Sequence, residues 1–467
     1  MPLPFVSVVV LNYNGLRFLD GCLGSLTRLD YPRDRYEVVV VDNVSSDGSA
    51  RIVEERFPGF HIVRNDRNLG FAGGNNVAMR ASQADYVALL NNDTAVDEAW
   101  LSELVEAAEA DPLVGACCSK LLFMHDRVRV ELKSEPFRPR DLGSTDQREL
   151  GIQILEARVE QSGVSRPVEY LDGCYGQEPS PNGPFRWSAG RAILGLRLAS
   201  QGGEATLQLV IAAPRRDGVP VRFTLSAGDG DLGEWEVGVR PASIDIPLPA
   251  DLIESAGPVI QNAGNLLLRE GSGRDRGTVV RGTEVYQEDD LGQYDCREEV
   301  FAGCGAALLL RKRMLDEVGL FDEDFFMYYE DMDLSWRARR QGWKVLYVPE
   351  AVARHFHAAS SVEWSPLFIY HVERNRLLML AKNAPATLAV GEHLRYATSI
   401  VLNLGRFARA MLLRSPDLAA LTSRVRIQLR VAGWLISHLP GTIGKRRRLA
   451  AREKVPASKL LDWMVAG

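Results

Sequence analysis

Apolar, β-branched runs alternate with helical patterns over the first 120 residues, and this alternation constrains the fold more than any other feature of the chain. The runs VSVVVLN (6–12) and YEVVVVDN (36–43) are almost continuously apolar, as expected of strands covered on both faces. Further strands are predicted in HIVRN (61–65), DYVALLNND (85–93) and VGACC (114–118), with helices at about 15–28, 47–57, 73–82 and 97–110. The order predicts a mainly parallel sheet in a three-layer α/β domain.

The pattern changes from about residue 125 to 257, where apolar residues recur at every second position, as they do between Leu194 and Leu198. Turn-forming clusters separate these runs at the spacing of a β-sandwich. We therefore predict an all-β domain inserted into the α/β domain. The predicted domains are 1–124 and 258–360 (the two parts of the α/β domain), 125–257 (the insert) and 361–467 (a basic helical region).

Charge is unevenly distributed along the 467 residues. The net charge is −6, yet residues 388–467 carry +10, which leaves −16 on the remainder. Within this basic region, residues 394–413 place apolar side chains on one helical face and arginines on the other. The pattern is typical of a helix that docks on an anionic membrane surface. It is equally typical of a helix that packs on the rest of the protein and leaves a basic face in solvent.

The six cysteines include no CxxC pair, which argues against a zinc site or a disulfide framework and predicts a reducing, cytoplasmic compartment. Every apolar stretch is shorter than the roughly 20 residues that span a bilayer. Any association with a membrane is therefore expected to be peripheral.

Polar residues follow the predicted strands at the edge where α/β sheets bind ligands, namely Asn12, Asp42 and the segment Asn91–Asp93. Asp42 suits base recognition and an Asx turn about equally. Asp93 is placed to hold Mg²⁺ or Mn²⁺ between phosphates, with a simple turn as the alternative. The loop NLGFAGGNN (68–76) fits a dinucleotide fingerprint poorly, but its glycines allow close approach of a diphosphate.

Acidic residues concentrate in FDEDFFMYYEDMD (321–333), where Glu330 and Asp331 begin a predicted helix. They are either a charged first turn or a general base near aromatic walls. His355 and His357 follow at i and i+2, so at most one is expected to point into the site.

In this order the motifs resemble the inverting nucleotide-sugar glycosyltransferases of family 2, most closely the rhamnosyltransferase-like branch. The motifs are VSVVVLNYNG, VVVVDNVSSDGS, NLGFAGGNN, ALLNNDT, IQNAGN, GAALLLRKRMLDEVGLFDEDFFMYYEDMDLSWRARRQGW and HVERNRLLMLAKNAP. The resemblance covers 4–124 and 258–386. It implies the three-layer GT-A fold, with the β-sandwich as an insertion and a helical region after it.

The resemblance also implies roles for matching side chains. Asp93 matches the last aspartate of the metal-binding DxD motif, and His355 matches a second ligand of Mg²⁺ or Mn²⁺. Asp331, paired with Glu330, matches the catalytic base. Asn91 stands where family members with a complete DxD motif carry aspartate. The loss of this carboxylate makes His355 more important for metal binding. The residues implied to bind the donor are Tyr13, Asp42, Asn68, Gly70, Phe71, Asn75, Asn92 and Asp93.

The predicted function is therefore inverting transfer of a sugar from a nucleotide-diphosphate sugar, either dTDP-rhamnose or a UDP-sugar, to a hydroxyl of a glycan or lipid-linked acceptor. The expected process is cell-envelope polysaccharide synthesis at the inner face of the plasma membrane, without nucleic acid. One alternative is a nucleotidyltransferase. Such an enzyme would need a phosphate-binding loop rich in glycine and basic residues after the first strand, where this chain has LNYNGLRF. The other is a non-catalytic carbohydrate-binding or scaffold protein, in which Asp93, Asp331 and His355 would be incidental.

Overall fold

The computed structural model describes residues 3–180, 183–199, 202–215, 217–281, 284–356 and 364–466, so His357 lies outside the described residues. The chain forms two compact units. The first comprises Met1–Leu122, Asn262–Arg276 and Tyr294–Gly467, and the second comprises Phe123–Gln261 and Gly277–Gln293. The second unit thus includes a separate segment, 277–293, that no sequence pattern indicates.

Strands are numbered along the chain: β1 Val6–Asn12, β2 Tyr36–Asp42, β3 His61–Arg64, β4 Tyr86–Asn91, β5 Thr94–Val96, β6 Val114–Ser134, β7 Gln153–Gln161, β8 Val164–Pro167, β9 Glu169–Cys174, β10 Arg186–Leu198, β11 Ala205–Ala212, β12 Val221–Ala227, β13 Gly230–Val237, β14 Ala242–Pro247, β15 Gly257–Asn262, β16 Asn265–Leu268, β17 Gly273–Asp275, β18 Thr278–Arg281, β19 Glu284–Gln287, β20 Glu298–Glu299, β21 Ala307–Arg311, β22 Lys344–His355 and β23 Met464–Val465. The helices are α1 Leu16–Leu26, α2 Ser49–Arg56, α3 Gly70–Ala81, α4 Trp100–Ala110, α5 Ala250–Glu254, α6 Lys312–Val318, α7 Glu330–Arg340, α8 Pro366–Asn383, α9 Ala386–Leu413 and α10 Leu418–Ala450.

A mixed sheet in the order β3–β2–β1–β4–β21–β6 forms the centre of the first unit. Strands β1 to β4 are parallel, and β21 runs antiparallel to both of its neighbours. Val8, Val10 and Val38 are fully buried, as expected of strands covered on both faces. The register sets Asn12 beside Asp42, which brings the predicted ligand-facing residues to one edge of the sheet.

Helix α3 begins at Gly70 rather than at residue 73, so the glycines predicted to form a loop lie inside the helix. The reason is the close approach of α3 to β1. A Cβ on Gly74 would stand 2.4 Å from a methyl carbon of Leu11. Glycine there allows the helix to pack tightly on the sheet.

The second unit contains two antiparallel sheets, β9–β10–β6–β12–β13 and β8–β7–β11–β14. Alternate residues such as Leu194, Leu207 and Phe223 are buried between them. Trp187 is 8% exposed, and Trp235 stacks on Phe223 with ring centroids 5.5 Å apart. Both tryptophans thus pack within the protein.

Helices α8, α9 and α10 belong to the first unit rather than to a separate domain. Leu377 of α8 packs with Ile427 and Val431 of α10. Within the described part of the chain, every helix is too short or too polar to cross a bilayer.

Candidate active site

Side chains at the ends of β1 and β2 form one hydrogen-bonded turn. The Asn12 amide donates to the Ser49 hydroxyl (2.8 Å) and lies 3.4 Å from Asp42 Oδ1, and the Ser45 N–H donates to Asp42 Oδ2 (3.3 Å). Asp42 is only 5% exposed, and its carboxylate therefore helps to organise the turn. Tyr13 stands at the rim, 44% exposed. Contact of either residue with a nucleotide base stays a prediction.

Asparagine side chains fix the start of α3. Asn68 Oδ1 accepts hydrogen bonds from the Gly70 N–H and from the Asn43 amide, both at 2.8 Å. Asn43 Oδ1 accepts in turn from the Leu69 N–H (3.0 Å). Asn68 and Gly70 were predicted from the sequence, whereas Asn43 was not, although its position directly after β2 was an available signal.

Phe71, in the first turn of α3, lies close to the predicted base. Two of its ring atoms lie 3.2 Å from the point where a Cβ of Gly305 would stand, and Asp331 Oδ2 lies 3.7 Å from the same point. Phe71 and Asp331 therefore share the surface around Gly305. Asn75 is 1% exposed and donates its amide to the Phe71 carbonyl (3.0 Å), so its side chain is engaged within its own helix.

The segment after β4 brings a carboxylate and an imidazole together, because β5 pairs with the end of β22. His355 Nε2 lies 3.0 Å from Asp93 Oδ1 and 3.4 Å from the Asn91 amide nitrogen. Asp93 and His355 are 6% and 5% exposed. Asn92 turns away from this pair and donates to Asn12 Oδ1 (2.8 Å).

The donor set of this pair fits a cation that is shared with a phosphate ligand. Among the described residues there is no group of three or more His, Cys, Asp or Glu side chains able to hold a metal ion. Asp93 and His355 nevertheless offer an oxygen and a nitrogen side by side. Mg²⁺ and Mn²⁺ accept such donors and complete their shell with phosphate oxygens and water.

Six carboxylates lie between residues 322 and 333, and their partners divide them into two groups. Four of them pair with cations: Asp322 with Lys382 and Lys445, Glu323 with Arg80, Asp324 with Lys445, and Asp333 with Arg337 and Lys382. Glu330 and Asp331 form no ion pair with any described residue. Cations thus neutralise four of the six carboxylates, and the role of Glu330 and Asp331 in catalysis stays a prediction.

Backbone donors hold the Asp331 carboxylate. Its Oδ2 accepts from the Gly305 N–H (3.0 Å), and its Oδ1 accepts from the Met332 N–H (2.7 Å). Burial raises the pKa of Asp331, and burial together with the Asp331 charge raises the pKa of Glu330 well above its usual range. Glu330 Oε2 is buried and has no hydrogen-bond partner among the described residues. Burial therefore disfavours two charges side by side at Glu330 and Asp331.

Asp275 is a further acidic residue near the predicted base, and it was not predicted from the sequence. Its charge contributes to the raised pKa of Asp331. The Asn262 amide donates to Asp275 Oδ1 (2.8 Å) and to Asn265 Oδ1 (2.6 Å). Asn262 and Asn265 belong to the IQNAGN motif, which thus helps to place Asp275. The motif could be recognised in the sequence, but Asp275 lies in a segment without any helical or strand periodicity.

Two family models match separate parts of the chain. Residues 7–169 match "Glycosyl transferase family 2", and residues 285–377 match "Glycosyltransferase like family 2". Together they cover more than half of the 467 residues.

Similar proteins with curated names include the glycosyltransferase AglE of Haloferax volcanii, which is 33% identical over 102 residues, 21% of this chain and 34% of that protein. An N-acetylglucosaminyl-diphospho-decaprenol L-rhamnosyltransferase of Mycobacterium tuberculosis H37Rv is 46% identical over 57 residues, 12% of this chain and 19% of that protein. The chain thus spans about a third or less of the length of these relatives. A solved mannosyltransferase of Pyrobaculum calidifontis, in complex with GDP-Man and Mn²⁺, is 16% identical with a TM-score of 0.37, covering 98% of this chain and 79% of that chain.

Proposed function

Since this chain belongs to glycosyltransferase family 2 and has the GT-A fold, we propose that it is an inverting, metal-dependent glycosyltransferase. It moves a sugar from a nucleotide-diphosphate sugar to a hydroxyl of a glycan or lipid-linked acceptor in cell-envelope polysaccharide synthesis. The observation that carries the proposal is the Asp331 carboxylate, which lies beside Phe71 and forms no ion pair with a described residue.

Inversion requires a single in-line displacement at the anomeric carbon. Asp331 takes the proton of the acceptor hydroxyl as the new bond forms, and the nucleoside diphosphate leaves from the opposite face. Its raised pKa makes it a stronger base than an ordinary aspartate. Burial and the Asp331 charge raise the pKa of Glu330 as well, which disfavours a second negative charge beside the base.

Asp93 and His355 are the residues that would hold the divalent cation. When bound, the cation supplies positive charge against the departing diphosphate. The turn that contains Asn12 and Asp42, and the start of α3 at Gly70, would position the donor.

Among candidate donors are dTDP-rhamnose and UDP-sugars, and the name of the mycobacterial relative supports a rhamnosyl donor and a lipid-linked acceptor. Release of UDP, dTDP and GDP from their sugar conjugates, with and without Mn²⁺, tests the proposal. We expect one donor to release nucleotide in a way that depends on the cation and the acceptor. Failure of every donor to bind in the presence of Mn²⁺ would favour a non-catalytic protein instead.

The rate of transfer is expected to fall on the acidic side of neutrality. Burial raises the pKa of Asp331 to about 6, and only the ionised form acts as a base. Above that pH kcat should be level, and below it kcat should fall about tenfold per pH unit. Initial rates at saturating donor from about pH 4.5 to 8, with the melting temperature measured at each pH, check this. If kcat at pH 5 equalled kcat at neutral pH while the protein remained folded, Asp331 would not be the base.

Helix α9 turns an apolar face outward. The residues on that face recur at helical spacing and are 39–83% exposed: Val390, Leu394, Val401, Leu404 and Leu412. The opposite, polar face packs on α8 and α10, as shown by the Tyr396–Glu373 and Asn403–Gln428 hydrogen bonds (2.8 and 3.1 Å). The packed face is thus polar, the reverse of a helix that buries its apolar side.

We further propose that this apolar face rests on the inner surface of the plasma membrane, whose anionic lipids attract the basic region around it. Arg395, Arg406 and Arg409 are exposed on the other side of α9 and add to its positive charge rather than to the contact itself. The cluster KRRR contributes less, because Lys445 pairs with Asp322 and Asp324.

Replacing Leu394 and Val401 together by aspartate is expected to weaken binding to vesicles at least about tenfold, since two apolar contacts are lost and two repulsive charges are added. Flotation with phosphatidylcholine vesicles, with and without phosphatidylglycerol, measures this. Aspartates at Ala419 and Ser423, exposed positions of α10, add the same charge as a control. Equal binding by both double variants would place the contact elsewhere, and no binding by the unmodified chain would remove the proposal.

A further inference from the structure

The segment 326–329, directly before Glu330, has a strained backbone. The angle φ is positive at Phe326 (63°), Tyr328 (69°) and Tyr329 (70°), none of which is glycine. At Phe326 ψ is −61°, and the Met327 N–H donates to the Phe325 carbonyl (2.7 Å), so Phe326 is the centre of a γ-turn of the rare form. Such conformations persist only where the surroundings hold them, and they concentrate at functional sites.

Two side chains of α8 hold this segment and the two residues before it through carbonyl oxygens. The two N–H groups of the Asn375 amide are shared among the carbonyls of Phe325 (2.9 Å), Met327 (2.7 Å) and Tyr328 (2.8 Å). Arg374 Nη2 donates to the carbonyls of Asp324 (2.8 Å) and Phe325 (2.7 Å), and its Nε donates to Asn375 Oδ1 (2.8 Å). Asn375 is fully buried, so its donors have no water to replace these acceptors.

The same segment touches both sides of the candidate active site. Toward the donor side, the Phe326 carbonyl accepts from the Ala72 N–H (3.0 Å). A Cβ on Gly70 would stand 2.5 Å from that carbonyl oxygen, so Gly70 packs directly on it. Toward the base, Tyr329 caps α7, whose first residues are Glu330 and Asp331.

We propose that Asn375, supported by Arg374, is a positioning residue that aims the Asp331 carboxylate by holding segment 326–329 in its strained form. This inference rests on the proposed function only in taking Asp331 as the base. Without the three Asn375 hydrogen bonds the segment relaxes, and Asp331 moves relative to the Gly305 N–H and to Phe71. A shift of about 1 Å in a reacting group costs about 100-fold in rate.

Asn375→Leu, which has a similar size but no donor, is expected to lower kcat about 10- to 100-fold while the donor KM changes less than about threefold. The acidic limb of the pH profile should shift, and amides 326–332 should exchange hydrogen faster. Gln428→Leu is the matched control, because Gln428 is a fully buried amide that bonds Ser399 (3.0 Å) and Asn403 (3.1 Å) instead. Both variants should lower the melting temperature, but only Asn375→Leu should shift the pH profile.

Asn375→Asp retains the acceptor for Arg374 and removes the donors, so it provides a second variant with the same expected losses. Normal kcat and an unchanged pH limb in both Asn375 variants would overturn the inference, as would unchanged exchange at 326–332. Loss of kcat only in proportion to the unfolded fraction would assign Asn375 to stability alone. If the unmodified chain transfers no sugar, the proposed function fails separately, since hydrogen exchange still reports whether Asn375 holds the segment.

Discussion

Asp331→Asn is expected to lower sugar transfer about 10²- to 10⁴-fold and to leave nucleotide binding within about twofold of the unmodified protein. Asparagine has the shape of aspartate, and its oxygen can still accept the Gly305 N–H, although the hydrogen bond from the Met332 N–H is lost. The amide cannot take a proton from the acceptor hydroxyl. Single-turnover rates and calorimetric titration with the nucleotide separate the two effects.

Glu330→Gln is the matched control for this prediction. Because burial and the Asp331 charge raise the pKa of Glu330, a neutral amide of the same shape should be tolerated there, and kcat should change only a few-fold. Asp333→Asn gives a third comparison, since Asp333 is fully buried against Arg337 and Lys382 and its loss should lower stability more than chemistry. Unchanged turnover in Asp331→Asn, or equal losses in the Asp331 and Glu330 variants, would remove Asp331 from the mechanism.

The strand pattern was sufficient to predict the central sheet of the first unit. Strands such as VSVVVLN and YEVVVVDN are buried on both faces, and for that reason almost all of their residues are apolar. Local pattern was less reliable at α3. There the glycines indicate a loop, whereas in the structure they lie inside the helix, and one of them, Gly74, packs against Leu11. The cost of glycine in a helix is outweighed at this point by packing that no local pattern reveals.

Some residues of the candidate site could likewise be predicted from local sequence, and others could not. Residues at strand ends, such as Asp93, could be named because chain direction fixes the edge where they lie. Asn375 and Asp275 could not, because their importance arises from contacts with segments distant in sequence. The positive φ angles at Tyr328 and Tyr329 were equally hidden, since neither residue type favours them.

The acidic stretch shows what the structure adds to a composition signal. In sequence, the helix start and the family resemblance single out Glu330 and Asp331 as the base, with a charged first helical turn as the alternative. In the folded chain Lys445 pairs with Asp322 and Asp324, whereas Asp331 has no cation among its described neighbours. A carboxylate that is neutralised by lysine is a weak base, so ion pairing sorts the candidates where spacing does not.

His355→Ala is expected to raise the Mn²⁺ concentration needed for transfer by about 100-fold or more, because one of two protein donors is lost. Asp93 would then be the remaining strong ligand beside the diphosphate. Chelation by EDTA should abolish transfer by the unmodified protein. Transfer rates and nucleotide binding, each measured against Mn²⁺ concentration, report the change, and His393→Ala controls for loss of a histidine whose Nδ1 contacts only its own helix in the described structure.

Asn91 lies close to His355, which permits a rescue experiment. It tests whether a new ligand at residue 91 can replace the lost imidazole. The Asn91 amide nitrogen lies 3.4 Å from His355 Nε2, so an aspartate at residue 91 would place a carboxylate where the imidazole stood. In the His355→Ala background, Asn91→Asp should therefore recover at least about tenfold of the lost Mn²⁺ affinity. Normal Mn²⁺ dependence in His355→Ala would show that Asp93 and the diphosphate suffice. Full loss without rescue would instead assign His355 to orienting Asp93 through the 3.0 Å hydrogen bond between them.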